Sequence, residues 1–442
     1  MKSDVLRYVI IGNGVAGITA AFTLRQREPG ARITVISGET DYFFSRTALM
    51  YSFMGRMTQR DLEPYERKVY DQRKIERMRD WVTDLDARAQ TLRLESGGSI
   101  QYDRLLLATG SAPNRVAWPG LRDAHEGVVH FVAWQDLEEC ERFAPSSKNA
   151  VVVGGGLIGI EMVECLVHLG IKVTFLIREP WYWPIGLNAS EADTVSTHVR
   201  RHNVEIRRKE EIAEVRSLNG RVTSVRTESG QNFACDFLAI CIGVHPAIGW
   251  LRDVATPPQL GHGVRISSNF ATSLPNIWAA GDCAEIAYPV RSPLVEQHWY
   301  AAKRQGELAA RSMLGDAVSY EPPVPFRSAK FFDIEYTSVG TVADVPQGAL
   351  EFYSKVNDKK VSMRAVEFEG RVIGFNLLGS RWEHTVLERW IAERRTLEYA
   401  MANLEQAQFD PEFGRESLWR FRRDYDKYKQ TLPGAVVEYS FR

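Results

Sequence analysis

The sequence predicts an α/β protein: two three-layer units, each built on a parallel sheet, followed by a smaller α+β domain. Three observations predict it. A short apolar run enters a glycine-rich turn and then a helical pattern at "VIIGNGVAGITAA", residues 9–21. The same arrangement recurs at "VVVGGGLIGIEMVE", residues 151–164. Each copy leads through short strands to one that closes on glycine, "LLLATG" at 105–110 and "LAICIG" at 238–243. One structural plan is therefore used twice.

The elements follow in order. An apolar strand over Tyr8–Ile11, a glycine turn, a helix through Leu24 and a strand over Arg32–Ile36 make one βαβ half-unit. Residues 40–80 are charged and aromatic with helical patches, and short strands fill 81–115. The second βαβ unit starts at Ala150 and runs through "KVTFLI" at 172–177. Asn219-Gly220 and Ser229-Gly230 mark turns between later strands. After "NIWAAGD" at 276–282 the pattern predicts a helix over Leu294–Leu314. The proline-rich "YEPPVPF" at 320–326 then reads as a boundary. Beyond it "KFFDIEYTSVG" and "SMRAVEFEGRVIGFNLLG" read as antiparallel strands turning near Glu369-Gly370, before a charged helix over His384–Leu404. The expected domains are 1–117 and 247–325 for the first unit, 118–246 for the second, 326–410 for the α+β domain, and a basic, aromatic tail over 411–442.

Bulk properties narrow the classes. At 442 residues the chain is too long for one core. A formal net charge of −1 gives no reason to expect nucleic acid or an anionic membrane as partner. No apolar run reaches the ~18 residues of a membrane span. The apolar N-terminus holds the first glycine turn and lacks a cleavage pattern, so the expected location is cytoplasmic. The cysteines at 140, 165, 235, 241 and 283 form no CxxC, and no metal site is expected. Cys235 and Cys241, on one strand, would stand about 20 Å apart at ~3.3 Å per residue. That is too far for a disulfide, and the cysteines read as core fillers.

The glycine turns carry the chemistry. Gly12, Gly14 and Gly17 satisfy GxGxxG around Val15 and Ala16. The first glycine permits the tight turn, the second admits a pyrophosphate to the backbone, and the third lets the helix close on the sheet. Gly154, Gly156 and Gly159, around Leu157 and Ile158, repeat the pattern with Glu161 two residues on. Strand before and helix after each turn are the context this motif requires. These are two Rossmann-like dinucleotide-binding units. Glu39, ending "ITVISGE", is the candidate for the ribose hydroxyls of the first dinucleotide.

"GNGVAG", "LLLATG", "GGGLIGIE" and "TSLPNIWAAGD", in this order, resemble the pyridine nucleotide-disulfide oxidoreductase superfamily of two-dinucleotide flavoproteins. The branch most similar is that of ferredoxin/rubredoxin reductases and nitrite-reductase-like NAD(P)H flavoproteins. The resemblance covers about residues 5–320, with a weaker echo to 400. It implies FAD in the first unit and NAD(P)H in the second, with hydride passing from nicotinamide to flavin. Asp282 would contact the ribityl chain, with Gly281 allowing close backbone approach; the plainer reading of Asp282 is a helix N-cap before "CAEIA". Val82 would meet the adenine through its backbone, and Ala108, Thr109 and Gly110 would edge the cofactor. Gly243 closes the equivalent strand of the second unit. Glu161 would accept from the nicotinamide carboxamide; its plainer reading is a first-turn glutamate favoured by the helix dipole. Arg178 and Glu179 end the second strand of the NAD(P) unit. An arginine there suits the NADP phosphate and an acid the NAD ribose. With no second arginine nearby, and an acid that would repel phosphate, the expectation is NADH.

The route onward is the remaining question. Disulfide-reducing members carry cysteines near the flavin, whereas "YFFSRTALMYSFMG" at 42–55 has none, and Thr47 stands where a single thiol would be. The same stretch resembles the "RPxLSK" segment of ferredoxin and rubredoxin reductases, with Arg46 and Leu49 matching and Tyr51 in place of lysine. Tyr51 offers a hydroxyl donor without fixed charge. Arg46 would supply charge, clamp the pyrophosphate or remain solvated. Trp299 would lie near the isoalloxazine or pack between domains. The aromatics of "EPWYWPIG" at 179–186 would cover the nicotinamide channel or pack as a loop. The tail presents Leu418, Phe421, Tyr425 and Tyr428 on one helical face, able to dock an acidic redox partner, lie on a membrane or pack on its own domain. The expected function is an FAD-dependent NAD(P)H oxidoreductase passing electrons to an iron-sulfur or ferredoxin-like protein, and a homodimer is compatible with the resemblance. The alternatives are an NADH oxidase or quinone-type dehydrogenase, and a flavoprotein like apoptosis-inducing factor whose NADH binding controls assembly.

Overall fold

The computed structural model describes residues 5–287, 293–356 and 360–431. Contacts divide the chain into two units. The first comprises Met1–Ala117, Val128–Ser146 and Ile242–Glu321; the second comprises Trp118–Gly127, Ser147–Cys241 and Pro322–Arg442.

The first unit is built on a five-stranded parallel sheet. Its order is Ile277–Ala279, Arg104–Leu107, Arg7–Ile11, Arg32–Ile36 and Ile75–Met78. Val9 stands opposite Thr34 on one side and Leu105 on the other, which sets the register of the central strand. Tyr8, Val9, Ile10 and Leu105 to Leu107 are buried. A strand covered on both faces has no polar side to show, which is why these read as unbroken apolar runs. The Val15–Arg27 helix packs against the Trp299–Met313 helix. Gly306 makes the crossing close, since a Cβ there would lie 2.2 Å from the Ala16 carbonyl oxygen. A three-stranded antiparallel sheet, Val82–Asp86, Thr91–Leu94 and Ser99–Gln101, completes the connection.

The second unit repeats the plan with parallel strands Glu205–Arg208, Lys172–Ile177, Asn149–Val153 and Phe237–Ile240. It also holds a five-stranded antiparallel sheet in the order Phe326–Phe331, Ile334–Gly340, Arg371–Leu378, Ser362–Phe368 and Leu350–Lys355. Asn219 and Gly220 both take positive φ, 51° and 84°, as a tight hairpin requires. Glu369 and Gly370 do the same between their strands. A buried ion pair ties the antiparallel sheet to the Ala189–Arg200 helix. Arg364 Nε donates to Glu191 Oε1 at 3.0 Å, and Asn376 Nδ2 donates to Glu191 Oε2 at 3.0 Å.

Three expectations are corrected. The helix expected from Leu294 begins at Trp299, because Leu294 and Val295 pair with Ile286 and Glu285 as a short strand. The single helix over His384–Leu404 is two, His384–Ala392 and Leu397–Ala402. Arg394 turns left-handed at φ 55°, and Thr396 caps the second through the Tyr399 N–H. Cys235 and Cys241 flank the Phe237–Ile240 strand rather than lying within it, and all five cysteines are buried, as core fillers should be. The Pro411–Lys429 helix turns its aromatic face inward: Leu418, Phe421 and Tyr425 join the core of the antiparallel sheet. Packing on its own domain therefore uses the face that membrane or partner docking would need. Residues 432–442 of the tail lie outside the described residues. No helix among the described residues is long and apolar enough to cross a membrane.

Candidate functional site

Each unit presents a cradle at the C-terminal edge of its parallel sheet. In the first, the Gly12 N–H donates to the Ile36 carbonyl at 2.8 Å, and the chain turns at Gly12 with φ +104°. A Cβ on Gly12 would lie 2.1 Å from the Ala108 oxygen, and one on Gly17 would lie 2.0 Å from the Gly12 oxygen. Bare backbone is thus the only solution at both positions. Gly14 caps the Val15–Arg27 helix without a side-chain bond, and nothing stands within 4 Å of where its Cβ would be. The helix end meets open space with its N–H groups unclaimed by a side-chain cap, the geometry that receives phosphate. Asn13, within the motif but given no role by sequence, braces the turn through Nδ2 on the Thr40 carbonyl at 2.6 Å.

The second cradle repeats these contacts. The Gly154 N–H donates to Leu176 at 3.1 Å, and a Cβ on Gly159 would lie 2.1 Å from the Gly154 oxygen. Gly156 also faces open space at the start of the Leu157–His168 helix. Glu161 sits in the second turn of that helix, so the first-turn dipole reading fails. Burial foremost, and then the negative charge of Glu164, pushes the Glu161 carboxyl up to about 8. At neutral pH it holds its proton and can donate as well as accept. Glu179 Oε2 stands 3.7 Å from where a Gly155 Cβ would be, against the turn, while Arg178 extends into solvent and pairs with Glu179 at 3.1 Å.

The "EPWYWPIG" aromatics pack as a loop. Tyr182 and Trp183 are buried, with Tyr182 edge-on to Phe331 and Trp183 edge-on to Phe331 and Tyr336. The Tyr182 hydroxyl donates to the Gly156 carbonyl at 3.4 Å, and burial holds its proton in place. Sequence reasoning gave Tyr182 no individual role, and only its place after the strand pointed to it.

Around the first cradle several predicted residues converge. Arg46 forks onto Glu39, both contacts at 2.7 Å, and Glu39 also accepts the Trp134 N–H at 2.7 Å. Ser111 Oγ donates to Asp282 at 2.9 Å and accepts from Gln297 at 2.9 Å. Burial pushes the Asp282 carboxyl up, against the Ser111 hydrogen bond and the positive charge of Arg46. The N-cap reading of Asp282 is overturned, because Ala284–Ile286 is a strand. Gly281 turns at φ +78° and donates its N–H to Gln305 at 2.8 Å; Gln305 passes the chain to Glu296 at 3.0 Å, which accepts from Tyr320 at 2.8 Å. Ser111, Gln297, Gln305 and Glu296 have no individual role in the sequence reading, although the last three lie in the 296–315 stretch that resembles the family's helix.

Thr109 donates to the Ala247 carbonyl at 3.0 Å, and Gly110 accepts the Ala247 N–H at 2.9 Å. Gly243 turns at φ +97° and accepts the Asn114 N–H at 3.0 Å. Val82 is half-buried in the edge strand beside the sheet, and Tyr51 is half-buried in the short Leu49–Phe53 helix. Trp299 opens the Trp299–Met313 helix, edge-on to Tyr300, with Lys303 Nζ 5.5 Å from its ring centre.

Comparison with known proteins agrees with this geometry. The family model described as pyridine nucleotide-disulphide oxidoreductase matches residues 6–306. A rubredoxin-NAD(+) reductase of Pseudomonas putida is 25% identical over 82% of this chain and 92% of its own. The ferredoxin–NAD(+) reductase subunit of a benzene 1,2-dioxygenase system of Pseudomonas putida is 28% identical over 72% of this chain and 76% of its own. Among solved structures, a covalent putidaredoxin reductase–putidaredoxin complex contains a chain with TM-score 0.78 and 22% identity, covering 88% of this chain and 93% of that one. The chain belongs to the pyridine nucleotide-disulphide oxidoreductase family, and it is an oxidoreductase that works with FAD and a nicotinamide dinucleotide.

Proposed function

We propose that the first cradle holds FAD, the second holds NADH, and electrons leave singly to a ferredoxin-like iron-sulfur protein. One observation carries the reading: two phosphate-type turns that exclude every side chain at their closing glycines, in a chain with no cysteine before Cys140. The 42–55 segment, where disulfide-reducing members carry their cysteines, has none, and Cys283 beside Asp282 is fully buried with its thiol pushed up by that burial, which supports an external acceptor for the electrons. The names of the relatives, a rubredoxin reductase and a ferredoxin reductase subunit, support the class of that acceptor.

When bound, the flavin supplies the ring that accepts a hydride and releases electrons one at a time. The chain's own residues bind and orient. The Gly12–Gly17 turn and the Val15–Arg27 helix end take the FAD pyrophosphate, with Arg46 as the neighbouring cation. Glu39 keeps lone pairs beyond its Arg46 fork, so its carboxylate can still accept from ribose hydroxyls. Asp282, oriented by Ser111, takes the ribityl hydroxyls beside the bare Gly281 backbone. Val82 lies toward the adenine, while Ala108, Thr109, Gly110 and Gly243 edge the cofactor. Tyr51 and Trp299 belong to the flavin end. In the second unit Glu161 meets the nicotinamide carboxamide. The acid against the Gly155 turn favours a ribose diol over a phosphate, which supports NADH over NADPH.

The test is anaerobic reduction of the yellow protein by each nucleotide, followed by mixing with a [2Fe-2S] ferredoxin or with oxygen. The proposal expects NADH to reduce the protein faster than NADPH, and the ferredoxin to reoxidise it faster than oxygen. Rapid oxygen uptake with an idle ferredoxin would make it an oxidase. Very slow reduction would point to a binding role.

A further inference from the structure

An aromatic platform stands beside the first cradle without a structural task of its own. Trp81 is 53% exposed, although tryptophan is a side chain that folding usually covers. Its indole lies flat on Gly38: a Cβ there would fall 2.1 Å from Cε2, 2.2 Å from Cδ2 and 2.5 Å from Nε1. Any side chain at position 38 would lift the ring away. The backbone fixes Trp81 in place, since its N–H donates to Asp80 Oδ1 at 2.8 Å and its carbonyl accepts from Glu95 at 2.8 Å. One ring face is thus backed by backbone, and the side chain is open elsewhere.

Position gives that surface a purpose. The Gly12 turn adjoins the end of the Arg32–Ile36 strand, and Ser37 and Asp80 extend the pairing of that strand with Ile75–Met78 beyond both ends. Gly38 precedes Glu39, the ribose candidate, and Trp81 precedes Val82. A dinucleotide laid along such an edge has phosphate at the first strand, ribose at the second and its base beyond. The base arrives at Trp81.

We propose that Trp81 is the stacking platform for the adenine of FAD, with Gly38 kept bare so that the indole can lie flat. The inference rests on the FAD reading of the first cradle. It is tested by titrating the apoprotein with FAD and with FMN, which lacks the adenine, in wild type, Trp81→Ala, Trp81→Leu and Trp81→Phe. Base–aromatic stacking predicts FAD affinity at least about tenfold weaker in Trp81→Ala and Trp81→Leu. Trp81→Phe should retain most of the affinity, FMN affinity should be unchanged throughout, and FAD but not FMN should quench a tryptophan emission component absent from Trp81→Phe. If Trp81→Ala fails to fold, the Leu and Phe pair decides: leucine covers Gly38 without an aromatic face. Equal FAD affinity in Leu and Phe variants, or a parallel loss of FMN, would overturn the platform. A wild-type protein that takes up no FAD would instead overturn the reading beneath it.

Discussion

Arg46 and Glu39 form a forked pair, Nη1 to Oε1 and Nη2 to Oε2, each at 2.7 Å, and Arg46 also donates to the Val132 carbonyl at 2.5 Å. Lysine cannot reproduce a planar fork. Arg46→Lys is therefore expected to weaken FAD binding about tenfold, measured by equilibrium dialysis of the apoprotein. Glu39→Gln retains an acceptor for Trp134 but loses the fork. Because the arginine is 42% exposed, solvent screening limits the stability cost to about 1 kcal/mol or less. An FAD affinity unchanged in Arg46→Lys would remove Arg46 from the site.

The Glu161 carboxyl makes stability depend on pH. In the unfolded chain it ionises near about 4.3, whereas burial and Glu164 hold the proton in the folded chain until about 8. Between those limits the folded state binds more protons. Stability must then fall as pH rises through that window, and level off above it. Glu161→Gln removes the titration, so its melting temperature should match wild type near pH 4.5 and exceed it increasingly up to pH 8. A difference that stays flat across this range would show that Glu161 is already ionised.

Glu191 and Arg364 are 0% and 3% exposed, and both Arg364 and Asn376 also donate to the Gly186 carbonyl, at 3.2 and 2.9 Å. Removing one partner strands a buried charge, which costs about 3–5 kcal/mol. Arg364→Met is expected to lose that much in urea denaturation, and Glu191→Leu combined with Arg364→Met to recover at least half. A double-variant loss equal to the sum of the two single-variant losses would mean the pair is not coupled.

The two cradles are expected to fail separately. A valine at Gly17 would drive its side chain into the Gly12 carbonyl, so Gly17→Val should purify colourless. Gly159→Val meets the same obstruction at Gly154 and should stay yellow, with reduction by NADH at least about a hundredfold slower. Absorbance spectra and stopped-flow mixing check both. Loss of colour in Gly159→Val would assign FAD to the wrong turn.

What was legible in the sequence is what repeats locally. "VVVGGGLIG" carries its own strand, turn and helix start, and Gly17 and Gly159 are demanded by the nearby Gly12 and Gly154 oxygens, so both cradles could be placed from sequence. Helix ends were less legible: "PLVEQHWY" carries no strong signal separating the Leu294–Val295 strand from the helix that follows. Long-range polar contacts were not legible at all. Arg364 meets Glu191 across 173 positions, and Gln297 meets Ser111 across 186; no periodicity records either. Trp81 was passed over because its neighbour Val82 matched a family pattern, whereas its own signal, a bare Gly38 beneath it, exists only in three dimensions.

One titration tests the central claim most directly: the purified protein, loaded with FAD and free of oxygen, receives NADH while its visible spectrum is followed. Two filled cradles predict a yellow protein whose oxidised band bleaches in proportion to NADH and reaches completion at one equivalent. A polypeptide that takes up no FAD, or a yellow one whose band survives excess NADH and NADPH, would contradict it.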